Sequence, residues 1–390
     1  MDKGKFGTVV VGLGAMGAAT LYQLSKHRQD LLGIEQFDLL HEYGSSHGET
    51  RLTRRATAEG SNVVPFVTES HRIWRELEMC PEDLFVESGV LIIGRQDSPK
   101  SIHGTENFLA TSIQLAKTYG VSHEVLNAPQ IRRRFPAFAP NDKELGYLEL
   151  EAGYVFPHLC IAAQLDRARK HGAMIRERTR VTCIRPVEAG VILEIDGDDD
   201  IRCDSVVIAV GGWTGPLLGK PFSNLLTVQR QVLHWFETVD QEIQTATQMP
   251  AFIWLHGEGD AEAFYGFPPI YPGTAVKVAT EQSITRTTAE ELERQVLTSE
   301  GQEMYTRHVK SRLPNVSNRQ HRSVACTYTT TPDHGFIIDH HPDSERVHVI
   351  CACSGHGFKH SAGIGRAVAE RVLGKTPFTD LSSFTLMQRR

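Results

Sequence analysis

Residues 8–35 read as strand, glycine turn, helix and strand. Thr8–Val11 is a short β-branched run that suits a strand buried in a parallel sheet. Gly12-Leu-Gly-Ala-Met-Gly17 follows it, Ala18–Lys26 has helix-forming composition, and Leu31–Glu35 is a second short apolar run ending in an acid. Each glycine has a physical task. Gly12 permits the tight turn, Gly14 lets the backbone approach a pyrophosphate, and Gly17 lets the helix lie close to the sheet. The first turn of such a helix offers unpaired N–H groups and a partial positive charge to phosphates. Glu35, 18 residues beyond Gly17, is placed to accept from ribose hydroxyls, and its charge would repel a 2′-phosphate. A glycine-rich turn with no ligand is the rival reading, and the flanking strands weigh against it.

The motif does not choose between NAD and FAD, because both carry ADP. The rest of the chain bears on the choice. Two further βα-like passages occupy residues 204–220 and 347–372, so the next strand of this type after Glu35 comes only near residue 206. A nucleotide domain interrupted in this way is commoner in flavoproteins. The expected architecture is α/β: a doubly wound FAD-binding domain built from residues 1–84, 146–224 and 325–390, and a second, mostly antiparallel-sheet α+β substrate domain from 85–145 and 225–324. The second part carries strand patterns at Phe85–Ile93, Val228–Glu237, Phe252–His256 and Ala275–Ala279, and a helical one at Ala289–Leu297. The charge run Asp196–Asp200, between Val191–Ile195 and Ile201–Cys203, reads as a solvated hairpin turn.

Composition narrows the function classes. The chain has 390 residues, 40% of them hydrophobic, with 41 Lys+Arg against 47 Asp+Glu and a formal charge of −6. That is ordinary globular composition for about two domains, and its mild acidity gives no electrostatic reason to expect nucleic acid. No apolar run approaches the ~18–20 residues of a membrane span, and the N-terminal stretch reads as a strand and turn, not a signal peptide. Seven scattered cysteines with no CxxC pair point to a reducing compartment, hence the cytoplasm.

Several separated motifs, in one order, resemble the monomeric sarcosine oxidase and N-methyltryptophan oxidase family, with peroxisomal pipecolate oxidase a further relative. They are GLGAMG (Gly12–Gly17), GSSHGETRLTRRA (Gly44–Ala56), YGFP (Tyr265–Pro268) with the lysine of AVKVA (Ala275–Ala279), ACTYTTTPD (Ala325–Asp333) with FIIDHHP (Phe336–Pro342), SGHGFK (Ser354–Lys359) and DLSSF (Asp380–Phe384). The resemblance covers nearly the whole length. It implies a two-domain flavoenzyme, a monomer, that takes a secondary-amine substrate and dioxygen. A hydride equivalent would pass from the N-methyl group to FAD, water would hydrolyse the resulting iminium to formaldehyde and the demethylated amino acid, and dioxygen would leave as hydrogen peroxide.

Residue roles follow from the resemblance position by position. Cys326 would carry the flavin covalently through sulfur, a reaction for which a thiolate is the right nucleophile and nearby cations would help; a buried structural thiol is the rival reading. Arg54 and Lys359 would hold the substrate carboxylate, a grip a guanidinium makes well, while Arg51 would lie near the flavin ring. The rival for the arginines is surface salt bridging, and Arg55 reads as structural. Gly355, His356 and Gly357 would open a helix whose N–H groups face the pyrimidine end of the flavin, with His356 supporting the turn. His356 and His360 are spaced for a metal, but no third ligand is evident, so no metal is expected. Lys277, between Val276 and Val278, would be costly pointing inward without a task; the resemblance makes it the dioxygen-activating lysine. Tyr265 and Tyr328 would wall the amine pocket, or be satisfied core tyrosines.

One position departs from the family. Four residues after the lysine the family has a histidine near the substrate, and here stands Glu281. Either it turns away or the substrate brings a matching cation or donor. Trp254 reads equally as pocket or core. The leading expectation is oxidative demethylation of an N-methyl amino acid. The alternatives are oxidation of a cyclic imino acid such as pipecolate, a nicotinamide-dependent dehydrogenase, or a catalytically idle flavin-binding subunit.

Overall fold

The structure, a computed structural model, describes residues 5–77, 84–95, 105–239, 248–257, 262–270, 275–282 and 285–389. Cys80 lies outside them.

Five parallel strands form the centre of the first sheet: Ser344–Cys351, Ile201–Ile208, Phe6–Val11, Leu31–Ile34 and Met174–Arg176, side by side in that order. Val9, Val10, Val206, Val207 and Ile208 are wholly buried. Coverage on both faces is what an unbroken Val/Ile run signals, since neither face needs polar residues. Ile337–His341 adds an antiparallel edge, and Val181–Val187, Gly190–Ile195 and the first half of Ile201–Ile208 form a meander. The run Asp196–Asp200 is the exposed turn of that meander. The helices Ala15–Ser25 and Ser361–Val372 pack together so closely that a Cβ on Gly365 would stand 2.6 Å from the backbone carbon of Ala19.

The second sheet has nine strands among the described residues. Thr227–Thr238 pairs with Val316–Thr330 and with Ala275–Ala279; then follow Ala263–Phe267, Ala251–Leu255, Val90–Arg95, Glu144–Glu149 and His123–Asn127. Every pair named here is antiparallel except Ala251–Leu255 with Val90–Arg95. A small third sheet joins Arg51–Thr53, Gly153–Val155 and Phe85–Val86. The architecture is therefore α/β with a largely antiparallel second sheet.

Three local expectations need correction. Phe85–Ile93 is not one strand: it breaks at Gly89, whose φ is +74°, and its halves enter different sheets. Ala289–Leu297 is not helical, and the helix begins beyond it at Thr298–Met304. Arg230 explains this, because its guanidinium takes the carbonyls of Glu293 (2.8 Å) and Gln295 (2.9 Å), while Glu291 N donates to the Thr288 hydroxyl at 3.0 Å. Those side-chain bonds replace a helical ladder. Finally, Glu144–Glu149 and Val316–Thr330 run across the expected divisions at 146 and 325, so Cys326 lies on the second sheet. Among the described residues no helix is long and apolar enough to cross a membrane.

Candidate active site

A single cavity of ≈690 Å³ runs from Glu35, past Gly12 and Gly14, to Arg54, Glu59 and Lys359. At the first end the glycine turn is built as its spacing predicts, with one refinement. Gly12 has φ +85°, and a Cβ there would meet the Ala209 carbonyl oxygen at 2.7 Å. A Cβ on Gly17 would stand 1.8 Å from the Gly12 carbonyl oxygen, so this glycine seats the helix on the turn itself. Gly14 opens on the cavity, with Ser46 Oγ 3.5 Å from where its Cβ would be. Glu35 is buried; it accepts from Leu13 N at 2.9 Å and Phe37 N at 3.2 Å and lies 3.4 Å from His41 Nε2. Its carboxylate thus fixes the turn as well as lining the site.

Gly355 (φ +81°) and Gly357 shape the opposite wall; a Cβ on Gly357 would stand 1.6 Å from the Ala352 carbonyl oxygen. A short 3-10 turn, Gly357–His360, precedes the helix Ser361–Val372. His356 Nε2 bonds the His334 carbonyl at 3.0 Å and its ring faces Phe336 at 4.7 Å, so it braces this turn. Among the described residues no group of three His, Cys, Asp or Glu could hold a metal ion.

Behind the cavity stands Lys277, only 2% exposed. Its amine donates to the carbonyls of Gly48 (2.5 Å) and Thr50 (2.8 Å) and contacts the Thr50 hydroxyl (3.2 Å), between the rings of Phe267 and Trp235. Burial pushes this amine well below the usual lysine range, Arg51 adds to that push and Glu49 opposes it. Gly48 and Glu49, which line the cavity, have φ of +93° and +67°. Glu49 is held by Trp235 Nε1 at 2.7 Å and Arg322 at 2.8 Å. Arg51 donates to the carbonyls of Thr50 (2.9 Å) and Ser45 (2.8 Å).

Cys326 is wholly buried and pairs with Gln231 across the second sheet. The expected cations are present, since Arg51 and Lys277 both draw its thiol down, but burial outweighs them and the thiol is pushed up. Tyr328, two residues on, meets Tyr265 with the hydroxyls 3.2 Å apart. Burial raises both phenols, that of Tyr265 to about 12. Neutral tyrosines therefore face the cavity.

The far end joins residues three hundred positions apart. Arg54 Nη2 donates to Glu59 Oε2 at 2.9 Å, and Lys359 Nζ donates to Glu59 Oε1 at 2.9 Å and to the His356 carbonyl at 3.1 Å. Arg54 also donates to the Ala56 carbonyl and lies over the Phe108 ring. Arg54 and Lys359 are 2% and 5% exposed. Burial lowers the Lys359 amine to about 8, with Glu59 opposing and Arg54 assisting. Glu281 is half-buried and lines the same end. Trp254 is buried core, donating to Glu144 at 2.9 Å and stacked on Phe264. Arg55 pairs with Glu151, as a structural arginine would.

Sequence reasoning missed Glu59, Glu49 and His47. Glu59 carries no local signal, since its importance comes from Lys359, far along the chain. His47 lies inside the GSSHGETR motif but was given no task there. It is 6% exposed and lines the cavity, and among the described residues both of its ring nitrogens lack a hydrogen-bond partner. A buried polar group in that state indicates a missing partner. An open glycine cradle, an acid at the ribose position and an orphaned imidazole together fit a bound dinucleotide.

Comparison with known proteins agrees. The model of the FAD dependent oxidoreductase (DAO) family matches residues 8–371. The chain is 33% identical to monomeric sarcosine oxidase of Streptomyces avermitilis, over 95% of this chain and 94% of that protein. It is 32% identical to N-methyl-L-tryptophan oxidase of Salmonella heidelberg, over 98% of each. In fold it is similar to NikD, an unusual amino acid oxidase essential for nikkomycin biosynthesis, with a TM-score of 0.84, 23% identity, and coverage of 98% and 97%. The choice between NAD and FAD that the glycine motif left open falls to FAD. A glycine-cradled cavity and relatives spanning nearly its whole length make this chain a member of the FAD dependent oxidoreductase family, a flavin-dependent oxidase of the sarcosine oxidase and N-methyltryptophan oxidase branch.

Proposed function

We propose that this enzyme oxidises N-methyl amino acids, releasing the demethylated amino acid, formaldehyde and hydrogen peroxide, as a cytoplasmic monomer. The names of its relatives support the reaction. The observation that carries the substrate class is the convergence of Arg54 and Lys359 on one buried carboxylate at the end of the cavity. The guanidinium and ammonium have more donors than Glu59, Ala56 and His356 occupy, so both cations can also grip a substrate carboxylate.

Bound in the glycine cradle, FAD supplies a two-electron acceptor that dioxygen can regenerate. The protein supplies orientation and charge. Arg54 and Lys359 fix the carboxylate, which limits the poses open to the N-methyl group. Tyr265 and Tyr328 close one wall with neutral hydroxyls. The three oxygen acceptors around Lys277 match the three N–H bonds of an ammonium, and positive charge there favours electron transfer to dioxygen. Cys326 carries the flavin, with Arg51 and Lys277 favouring its thiolate against burial. Free thiols at all six described cysteines accord with the cytoplasm.

The test is a peroxide assay with sarcosine, N-methyltryptophan and pipecolate. Peroxide and formaldehyde from the N-methyl substrates are expected. Turnover of pipecolate alone would move the enzyme to cyclic imino acids, and turnover of no secondary amine would end the reading.

A further inference from the structure

We infer that Glu149 is a positioning residue for substrate recognition: it holds the backbone from which Arg54 reaches the site, and so sets the grip on the substrate carboxylate. The inference rests on the grip of Arg54 and Lys359 proposed above and adds the residue that aligns it.

Glu149 ends the strand Glu144–Glu149 of the second sheet, opposite Val90 on one side and His123 on the other, and is wholly buried. A carboxylate in such a place is costly unless its oxygens are satisfied. Three donors meet it: Arg55 N at 2.6 Å on Oε1, and Ala56 N at 3.1 Å and the Tyr147 hydroxyl at 2.9 Å on Oε2. Burial and the charge of Glu149 push the Tyr147 phenol up, with Arg54 and Arg55 opposing, so that hydroxyl stays a donor. Two of the three bonds leave the second sheet for the loop that follows the strand Arg51–Thr53.

That loop carries the clamp. A peptide unit is planar, so the bond to Arg55 N fixes the unit joined to the Cα of Arg54. The bond to Ala56 N fixes the next unit, and the carbonyl of Ala56 receives the Arg54 guanidinium. Both ends of the Arg54 side chain are thus set from Glu149. Glu59, which the same guanidinium and Lys359 share, lies three residues further along the loop. A carboxylate only accepts, and that is what these donors require. In glutamine one oxygen becomes an NH2 group, which would face the Arg55 N–H in one orientation and the Ala56 N–H in the other. Either way one backbone donor is left opposed, and the loop under Arg54 must shift.

The experiment gives purified holoenzyme sarcosine and N-methyltryptophan against the amides of both, which keep the amine and lack the carboxylate charge. Flavin bleaching without oxygen and steady-state peroxide are both read, and propionate is titrated into oxidised enzyme with flavin absorbance as the signal. A misplaced guanidinium predicts that Glu149→Gln lowers kcat/KM for the acids about tenfold to a hundredfold, mainly through KM, and weakens propionate binding by a similar factor, while the amides are used nearly as before. If the amides are too poor to measure, kcat for the acids takes their place and stays near the wild-type value. Tyr147→Phe, which removes one of the three donors and keeps the carboxylate, should act in the same direction by about twofold to tenfold. Bound flavin and melting temperature show that each variant is folded. Equal losses for acids and amides in folded Glu149→Gln would overturn the inference, and so would undiminished binding of propionate. If that variant does not fold, Tyr147→Phe decides by the same criteria. Wild-type enzyme that uses acids and amides alike, or favours the amides, would instead overturn the grip of Arg54 and Lys359, and this inference with it.

Discussion

Two buried lysines belong to this site, Lys359 lining the cavity and Lys277 behind its wall, and they differ in what accepts their hydrogen bonds. Lys277 is surrounded by neutral oxygens, the carbonyls of Gly48 and Thr50 and one hydroxyl, and burial drives its amine well below the usual range. Lys359 shares the carboxylate of Glu59 with Arg54, and its amine falls only to about 8. Burial disfavours the charge of both; Glu59 opposes this at Lys359 through charge and a direct hydrogen bond, whereas Glu49 opposes it at Lys277 through charge alone. The Lys277 amine is held by a carbonyl pair and a hydroxyl, whereas the Lys359 amine is held by a carboxylate and a carbonyl. The roles proposed for them are a positive charge for dioxygen chemistry at the first and recognition of an anion at the second.

The largest expected effect tests the Lys277 end through its neighbour. Cys326→Ala should abolish the yellow colour that the wild-type protein retains after acid precipitation; colour retained in the variant would move the flavin attachment elsewhere. Next, Lys277→Met should slow reoxidation of reduced enzyme by oxygen about 10²–10³-fold and leave anaerobic reduction by substrate nearly unchanged, both read by stopped-flow absorbance. Equal loss in both half-reactions would erase the functional distinction between the lysines.

Glu59→Gln probes the other end. Two buried cations lose their shared counter-charge, so unfolding free energy should fall by about 3–5 kcal/mol in a denaturant titration. The Lys359 amine should also titrate at lower pH than in the wild type. The smallest effect is the pH response of the intact enzyme. Because the Lys359 amine sits near 8, KM for an amino acid substrate should rise above that pH, at most about tenfold per pH unit, with kcat less affected. The same shift makes the folded chain bind fewer protons than the unfolded one between about 8 and the ordinary lysine value of 10.5. This group's contribution to stability therefore increases as pH rises through that window. A KM that stays flat to pH 10 would show that Lys359 does not serve the anion.

Much of the nucleotide half was legible because its instructions are local. Gly12, Gly17 and Glu35 act within one βαβ unit, where a tight turn and a close helix contact demand particular residues at fixed spacing. The hairpin at Asp196–Asp200 and the strand Ala275–Ala279 were readable for the same reason. The segment Ala289–Leu297 was not, because Arg230, far back in the chain, takes the carbonyls a helix would need.

By itself, then, the sequence determined the cradle, the strand that carries Lys277, and the set of cationic residues available to the site. It could not determine how those cations were to be neutralised. Glu59 becomes the partner of Lys359 only when the loop after Arg51–Thr53 meets the 3-10 turn Gly357–His360, and His47 becomes an orphan only when the cavity closes around it. The physical reason is range: backbone conformation responds to neighbours a few residues away, whereas the protonation of a buried group depends on whichever charges folding places within a few ångströms of it.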